Sequence, residues 1–126
     1  ILLKGNILHT PAPGQLEEVR PKMAGGEGEC TVHHILPADC AYGSGRLFAV
    51  NTLQPGSSIG YHKHQGEYEV YYILEGVGHV VEDGEEYDLA AGDMMQCRDG
   101  SSHSIENRSD KPLRFLALII NVRDPA

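Results

Sequence analysis

The sequence predicts an all-β fold, a sandwich or barrel of many short strands. Runs rich in Val, Ile, Leu, Tyr and Phe recur at short intervals along the chain. Gly, Asp and Pro separate them, as turns do. No segment as long as an ordinary helix, about 12 residues, keeps a helical period, which excludes a Rossmann-type layer.

Residues 1–29 form an irregular arm. Pro11, Pro13, Pro21, Gly14, Gly25, Gly26 and Gly28 interrupt it, and only Ile7 and Leu8 look able to add an edge strand. This arm is expected to pack on the barrel or on a partner subunit. Residues 30–126 form the barrel domain. Its strands are expected at 30–36, 46–53, 58–64, 67–74, 78–81, 87–89, 94–97, 103–107 and 113–122. Residues 37–45 read as a loop. Gln65 and Gly66 read as a tight turn that returns residues 67–74 antiparallel to 58–64. Asp83 and Gly84 are a hairpin turn signal.

Two strands have unusual faces. Along residues 67–74, one side carries Glu67, Glu69, Tyr71 and Ile73 and the other Tyr68, Val70, Tyr72 and Leu74. Residues 113–120 behave similarly. A single-layer barrel leaves one face wet, so the outer face of one sheet is expected to be covered, most economically in a homodimer.

Composition bounds the function. At 126 residues the chain suits one domain with a real core. Ten Lys and Arg against 18 Asp and Glu give a net charge of -8, which argues against a nucleic-acid partner. No apolar run is long enough to cross a bilayer, and no membrane role is expected. Cys30, Cys40 and Cys97 are widely spaced without a CxxC pair. They read as buried free thiols in a cytoplasmic protein.

His62 and His64, one residue apart in a strand, point to the same side, and Lys63 points away. Glu69, across the expected turn, can return its carboxylate toward them. Such a nitrogen and oxygen set suits Mn, Fe, Co, Ni or Zn rather than Mg or Ca. His-x-His on a strand is equally the mark of a half-wet face, and the residues alone leave both readings open.

Residues 56–76, GSSIGYHKHQGEYEVYYILEG, resemble the first motif of the cupin family. Gly56, His62, His64, Glu69 and Gly76 fall on its positions. Residues 84–107, GEEYDLAAGDMMQCRDGSSHSIEN, resemble the second through Gly84, Gly92, Gly100, His103 and Asn107. Ala90 and the residues before Gly100 depart from the motif where Pro is common, at positions that supply no ligand. The likeness implies a double-stranded β-helix, or jelly roll, over roughly residues 30–122. It implies one divalent transition metal held by His62, His64, Glu69 and His103. It also implies that each ligand imidazole gives its other nitrogen to an acceptor, and that Asn107 supports a strand end.

The resemblance leaves the reaction open. An enzyme using the ion as a Lewis acid on a small oxygen-rich molecule, a hydroxy acid, oxo acid or sugar, is the first expectation. The alternatives are an iron dioxygenase and a non-catalytic binding or sensor domain. Glu67 is the candidate to move a proton, and Tyr71 the candidate to donate a hydrogen bond to the small polar or anionic ligand. Met94, Met95 and Phe115 read as barrel filling. Cys97 has no neighbour in sequence to activate it. Arg46 and Arg114 read as surface cations, and His33, His34 and His79 as structural.

Overall fold

A computed structural model describes residues 3–123. Among the described residues, strands β1 (Leu3–Lys4) and β2 (Ile7–Leu8) pair only with each other. The remaining ten strands are β3 (Glu17–Pro21), β4 (Glu29–His34), β5 (Gly45–Leu53), β6 (Ser58–Lys63), β7 (Glu67–Glu75), β8 (Val77–Glu82), β9 (Glu85–Ala90), β10 (Met94–Cys97), β11 (Ser102–Glu106) and β12 (Leu113–Asn121). They form a six-stranded sheet ordered β10-β7-β12-β5-β4-β3 and a four-stranded sheet ordered β6-β11-β8-β9. All pairs are antiparallel, and the two sheets face each other in the jelly-roll arrangement.

Period-2 burial builds the core between the sheets. From the large sheet come Ala49, Leu53, Tyr71, Ile73, Phe115 and Ala117. From the small sheet come Ile59, Val80, Leu89 and Ile105. Asn107 stitches the end of the barrel. Its Nδ2 donates to the carbonyls of Leu53 (2.8 Å) and Lys111 (2.7 Å), and its Oδ1 accepts from the Ser109 amide (3.0 Å) and hydroxyl (2.8 Å).

The structure corrects four expectations. The arm is not irregular throughout, because β3 pairs with β4 and becomes the edge of the large sheet. Its alternation is inverted: Glu18 and Arg20 are half-buried, whereas Val19 is exposed. Ile7 and Leu8 join a separate small hairpin rather than a barrel edge. Gln65 and Gly66 do not close a hairpin, since β6 and β7 lie in opposite sheets and the chain crosses the barrel there. Met94 is not barrel filling: the residue is 55% exposed on the outer face, while Met95 and Phe115 are buried.

Candidate metal centre

Strand β6 carries His62 and ends just before His64, and β11 lays His103 directly opposite His62. Past the end of β6, the His64 amide donates to the Ser101 carbonyl (3.0 Å), which keeps His64 beside the start of β11. Glu69 comes from β7 in the opposite sheet, so its carboxylate meets the imidazoles across the barrel interior rather than around a turn.

The four side chains converge. His64 Nε2 lies 3.2 Å from His62 Nε2, 3.1 Å from His103 Nε2 and 3.0 Å from Glu69 Oε1. His103 Nε2 lies 2.9 Å from the same Oε1, and His62 Nε2 lies 3.8 Å from it. His64, Glu69 and His103 are buried, and His62 is half-buried.

Tautomers follow from the outer nitrogens. His62 Nδ1 donates to the Gly60 carbonyl (2.7 Å), and His64 Nδ1 to Glu67 Oε2 (2.5 Å). Each Nε2 is then left with its lone pair aimed at the common centre. Among the described residues His103 Nδ1 has no hydrogen-bond partner, and the Tyr71 ring stacks on this imidazole at 5.0 Å and 18°. The expected acceptors are therefore present for two of the three imidazoles.

Imidazole lone pairs and a carboxylate crowded to about 3 Å repel one another unless a positive charge sits among them. Two donors each about 2.1 Å from one ion stand about 3.0 Å apart at right angles, and about 3.4 Å apart at tetrahedral angles. Four of the spacings, 2.9–3.2 Å, are close to the first case, and the fifth, His62 to Glu69 at 3.8 Å, is wider than either. The donor set fits a divalent transition metal. Burial alone raises the Glu69 carboxyl, but with no ion among them the imidazoles of His103, His62 and His64 share their protons with it, which outweighs burial and holds it well below the ordinary carboxylate range; an ion would take the place of those protons. It stands ionised, as a metal ligand must be.

A cavity of about 330 Å³ opens onto this cluster. Its walls mix apolar side chains, including Leu47, Ile59 and Tyr71, with the cations Arg20, Arg46 and Lys63. Tyr71 is buried and packs edge-on against Phe115 at 4.7 Å. Glu67 does not line this space. Its two oxygens accept a fork from Arg46 Nε and Nη2, each at 2.8 Å, and one of them also accepts from His64. The Arg46 fork is the main influence lowering the Glu67 carboxyl below its ordinary value. Arg46, read from sequence as a surface cation, thus braces the acceptor of a ligand imidazole. Arg114 sits at the surface beside Glu75, 3.6 Å away.

Cys97 is buried on the inward side of β10, opposite Glu69 in register. Burial pushes its thiol up to about 12, and that of Cys30 to about 11, so neither is an activated nucleophile. His33, His34 and His79 stand apart from the centre. His33 Nε2 meets Gln15, His34 Nε2 meets Glu18, and His79 lies between Asp88 and Glu86. Arg20 escaped the sequence reading. The only signal for it was a lone Glu-Val-Arg alternation in a Pro- and Gly-rich arm.

These features define a metal-binding β-barrel of the cupin class. The cupin-domain profile matches residues 49–119, and the chain belongs to the cupin family. It is 47% identical over 98 residues to a Thermotoga maritima protein named as an oxalate-binding protein, covering 78% of this chain and 81% of that one. A crystal structure from Thermotoga maritima, described as a predicted oxalate decarboxylase, superposes with a TM-score of 0.86 at 41% identity, over 91% of this chain and all of that one. The cupin domain of Cnp3 from Schizosaccharomyces pombe shares the fold, with a TM-score of 0.69 at 11% identity over 83% of this chain and 69% of that one.

Proposed function

We propose that the protein binds a small hydroxy or oxo acid through adjacent oxygens at a metal held by His62, His64, Glu69 and His103, and acts on it there. The observation that carries this is the convergence of three imidazole nitrogens and one carboxylate oxygen, 2.9–3.8 Å apart, beneath a cavity of only about 330 Å³. The likeness to a protein named for oxalate supports the ligand class. A divalent transition ion at this centre supplies Lewis acidity toward the oxygens of a bound acid.

The chain's own residues do the rest. Gly60 and Glu67 fix the tautomers of His62 and His64. Tyr71 walls the cavity and holds the His103 ring by stacking. Glu67 is assigned a positioning role in preference to proton transfer, because Arg46 and His64 already occupy both of its oxygens.

A second reading, binding without turnover, is favoured by the likeness to the Thermotoga maritima oxalate-binding protein. One experiment separates the two. Metal-loaded protein is titrated with oxalate by calorimetry and then incubated with ¹³C-oxalate under NMR. Binding with release of labelled one-carbon products supports an enzyme. Binding with unchanged oxalate supports a carrier or sensor. The absence of any binding refutes the acid reading.

We also propose that two copies pair through the outer face of the large sheet. Met94, Tyr72, Leu116 and Val50 stand side by side there in register across four strands. Tyr72 is 43% exposed and Leu74 38%. Such a continuous apolar face on an acidic protein suits a two-fold contact with itself.

A further inference from the structure

We propose that Arg20 anchors the outward-facing oxygens of a small dicarboxylate whose inner oxygens lie at the metal centre. This rests on the acid-binding reading above and names the dicarboxylate within it. Three cations line the cavity, and their engagement differs. Arg46 spends its fork on Glu67. Lys63 is exposed and, by strand alternation, turned to the opposite side of β6 from His62 and His64. Arg20 is half-buried, and among the described residues only its Nη2 is bonded, to Glu18 Oε1 at 2.7 Å. A guanidinium has five donors, so most of its donors are uncommitted.

The chain around Arg20 is built to hold it at the cavity. Residues 22–28 fold back as a strap, closed by the Lys22 amide donating to the Gly28 carbonyl (2.8 Å). Lys22 and Ala24 take left-handed backbone angles, φ 48° and 52°, which side-chain-bearing residues rarely adopt. The strap lies directly on β6, the strand of His62. The Ser58 amide donates to the Glu27 carbonyl, and the Glu27 amide to the Ser58 hydroxyl, both at 2.9 Å. The approach needs glycine on both sides. A Cβ on Gly26 would stand 2.2 Å from the Ser58 carbonyl oxygen, and one on Gly60 2.1 Å from that of Ala24. Met23 and Ala24 of the strap then form cavity wall beside Arg20.

Glu18 completes the arrangement. Its Oε1 also meets His34 Nε2 at 2.5 Å, and Arg20 first, then His34, hold its carboxyl down to about 2. It is therefore a fixed anion that orients one side of Arg20. The pair is more than a third exposed, so exchanging part of it for a ligand carboxylate costs little. The chemistry selects a compact ligand with two adjacent anionic groups, offering oxygens to the ion on one side and to a guanidinium fork on the other. It disfavours a neutral sugar, which offers no charge to Arg20.

The test is calorimetry of manganese-loaded protein with oxalate and with monomethyl oxalate, in wild type, Arg20→Gln and Arg20→Lys, with metal content measured for each. Arg20→Gln is expected to weaken oxalate binding at least about tenfold, the worth of a hydrogen-bonded charge contact, with manganese unchanged. Arg20→Lys should recover part of that loss. The wild-type preference for oxalate over its monoester should shrink several-fold in Arg20→Gln, which a merely structural arginine would not cause. Equal oxalate affinity in wild type and Arg20→Gln, or an unchanged preference ratio, overturns the assignment. Wild-type protein that holds manganese but ignores oxalate overturns the acid-binding reading as well.

Discussion

Replacing Glu67 by Ala isolates what holds a ligand imidazole in place. His64 is buried, and its Nδ1 donates to Glu67 Oε2 at 2.5 Å. Truncation leaves that buried N–H without its acceptor, a loss of about 1–3 kcal/mol. It also frees Arg46, more than half exposed and easily solvated, so that side adds little. Loss of an acceptor behind a ligand histidine typically weakens metal affinity about 10–100-fold, or about 1.4–2.8 kcal/mol, and the two figures agree. The assay is competition for zinc or cobalt against a chromophoric chelator, with circular dichroism as a check on the fold. Glu67→Gln, whose amide oxygen can still accept from Nδ1, should fall between wild type and Ala. Wild-type affinity in Glu67→Ala would refute the reasoning, because the Glu67–His64 contact would then do nothing for the centre.

Further outcomes follow from other contacts. Asn51 is 1% exposed between Phe115 and Val32 in register, and neither end of its amide has a partner among the described residues. Asn51→Leu should leave stability unchanged or raise it by about 1 kcal/mol in urea unfolding, and a clear loss would count against this. Glu86 first, and Asp88 next, raise the pKa of His79. A raised folded value means stability present below the unfolded value of about 6.5 and lost as pH rises through the folded one. His79→Gln should therefore cost up to about 1 kcal/mol near pH 5.5 and nothing near pH 9, read from unfolding curves at both pH values. Tyr72→Arg, placed in the outer apolar face, should convert a dimer to a monomer in sedimentation equilibrium. A wild-type chain that sediments as a monomer would remove that proposal.

Much of this was legible in sequence where burial and polarity run together. Strand β12 alternates Leu113, Phe115, Ala117 and Ile119 inward, and β10 was read to the residue. Strand β3 was not legible, because its half-buried positions are Glu18 and Arg20 and its apolar Val19 faces out. A strand whose inward side chains serve a cavity mouth carries the opposite pattern to one that serves a core. Gln65 and Gly66 misled for a different reason. A two-residue link containing Gly looks the same whether the next strand pairs or crosses to the other sheet. Only the long-range pairing of β6 with β11 decides, and no local signal encodes it. His103 was reachable through the second motif alone, while Arg46 behind Glu67 and Arg20 at the mouth depend on contacts between distant segments.

The cluster of His62, His64, Glu69 and His103 is expected to hold one metal ion. Elemental analysis of untagged protein, reconstituted and then dialysed, tests it most directly when run beside the His62→Ala, His64→Ala double variant. About one equivalent of transition metal per wild-type chain, lost in the double variant with the β-sheet spectrum retained, is the expected result. A wild-type chain that holds no metal after reconstitution, or a double variant that keeps its full equivalent, would contradict it.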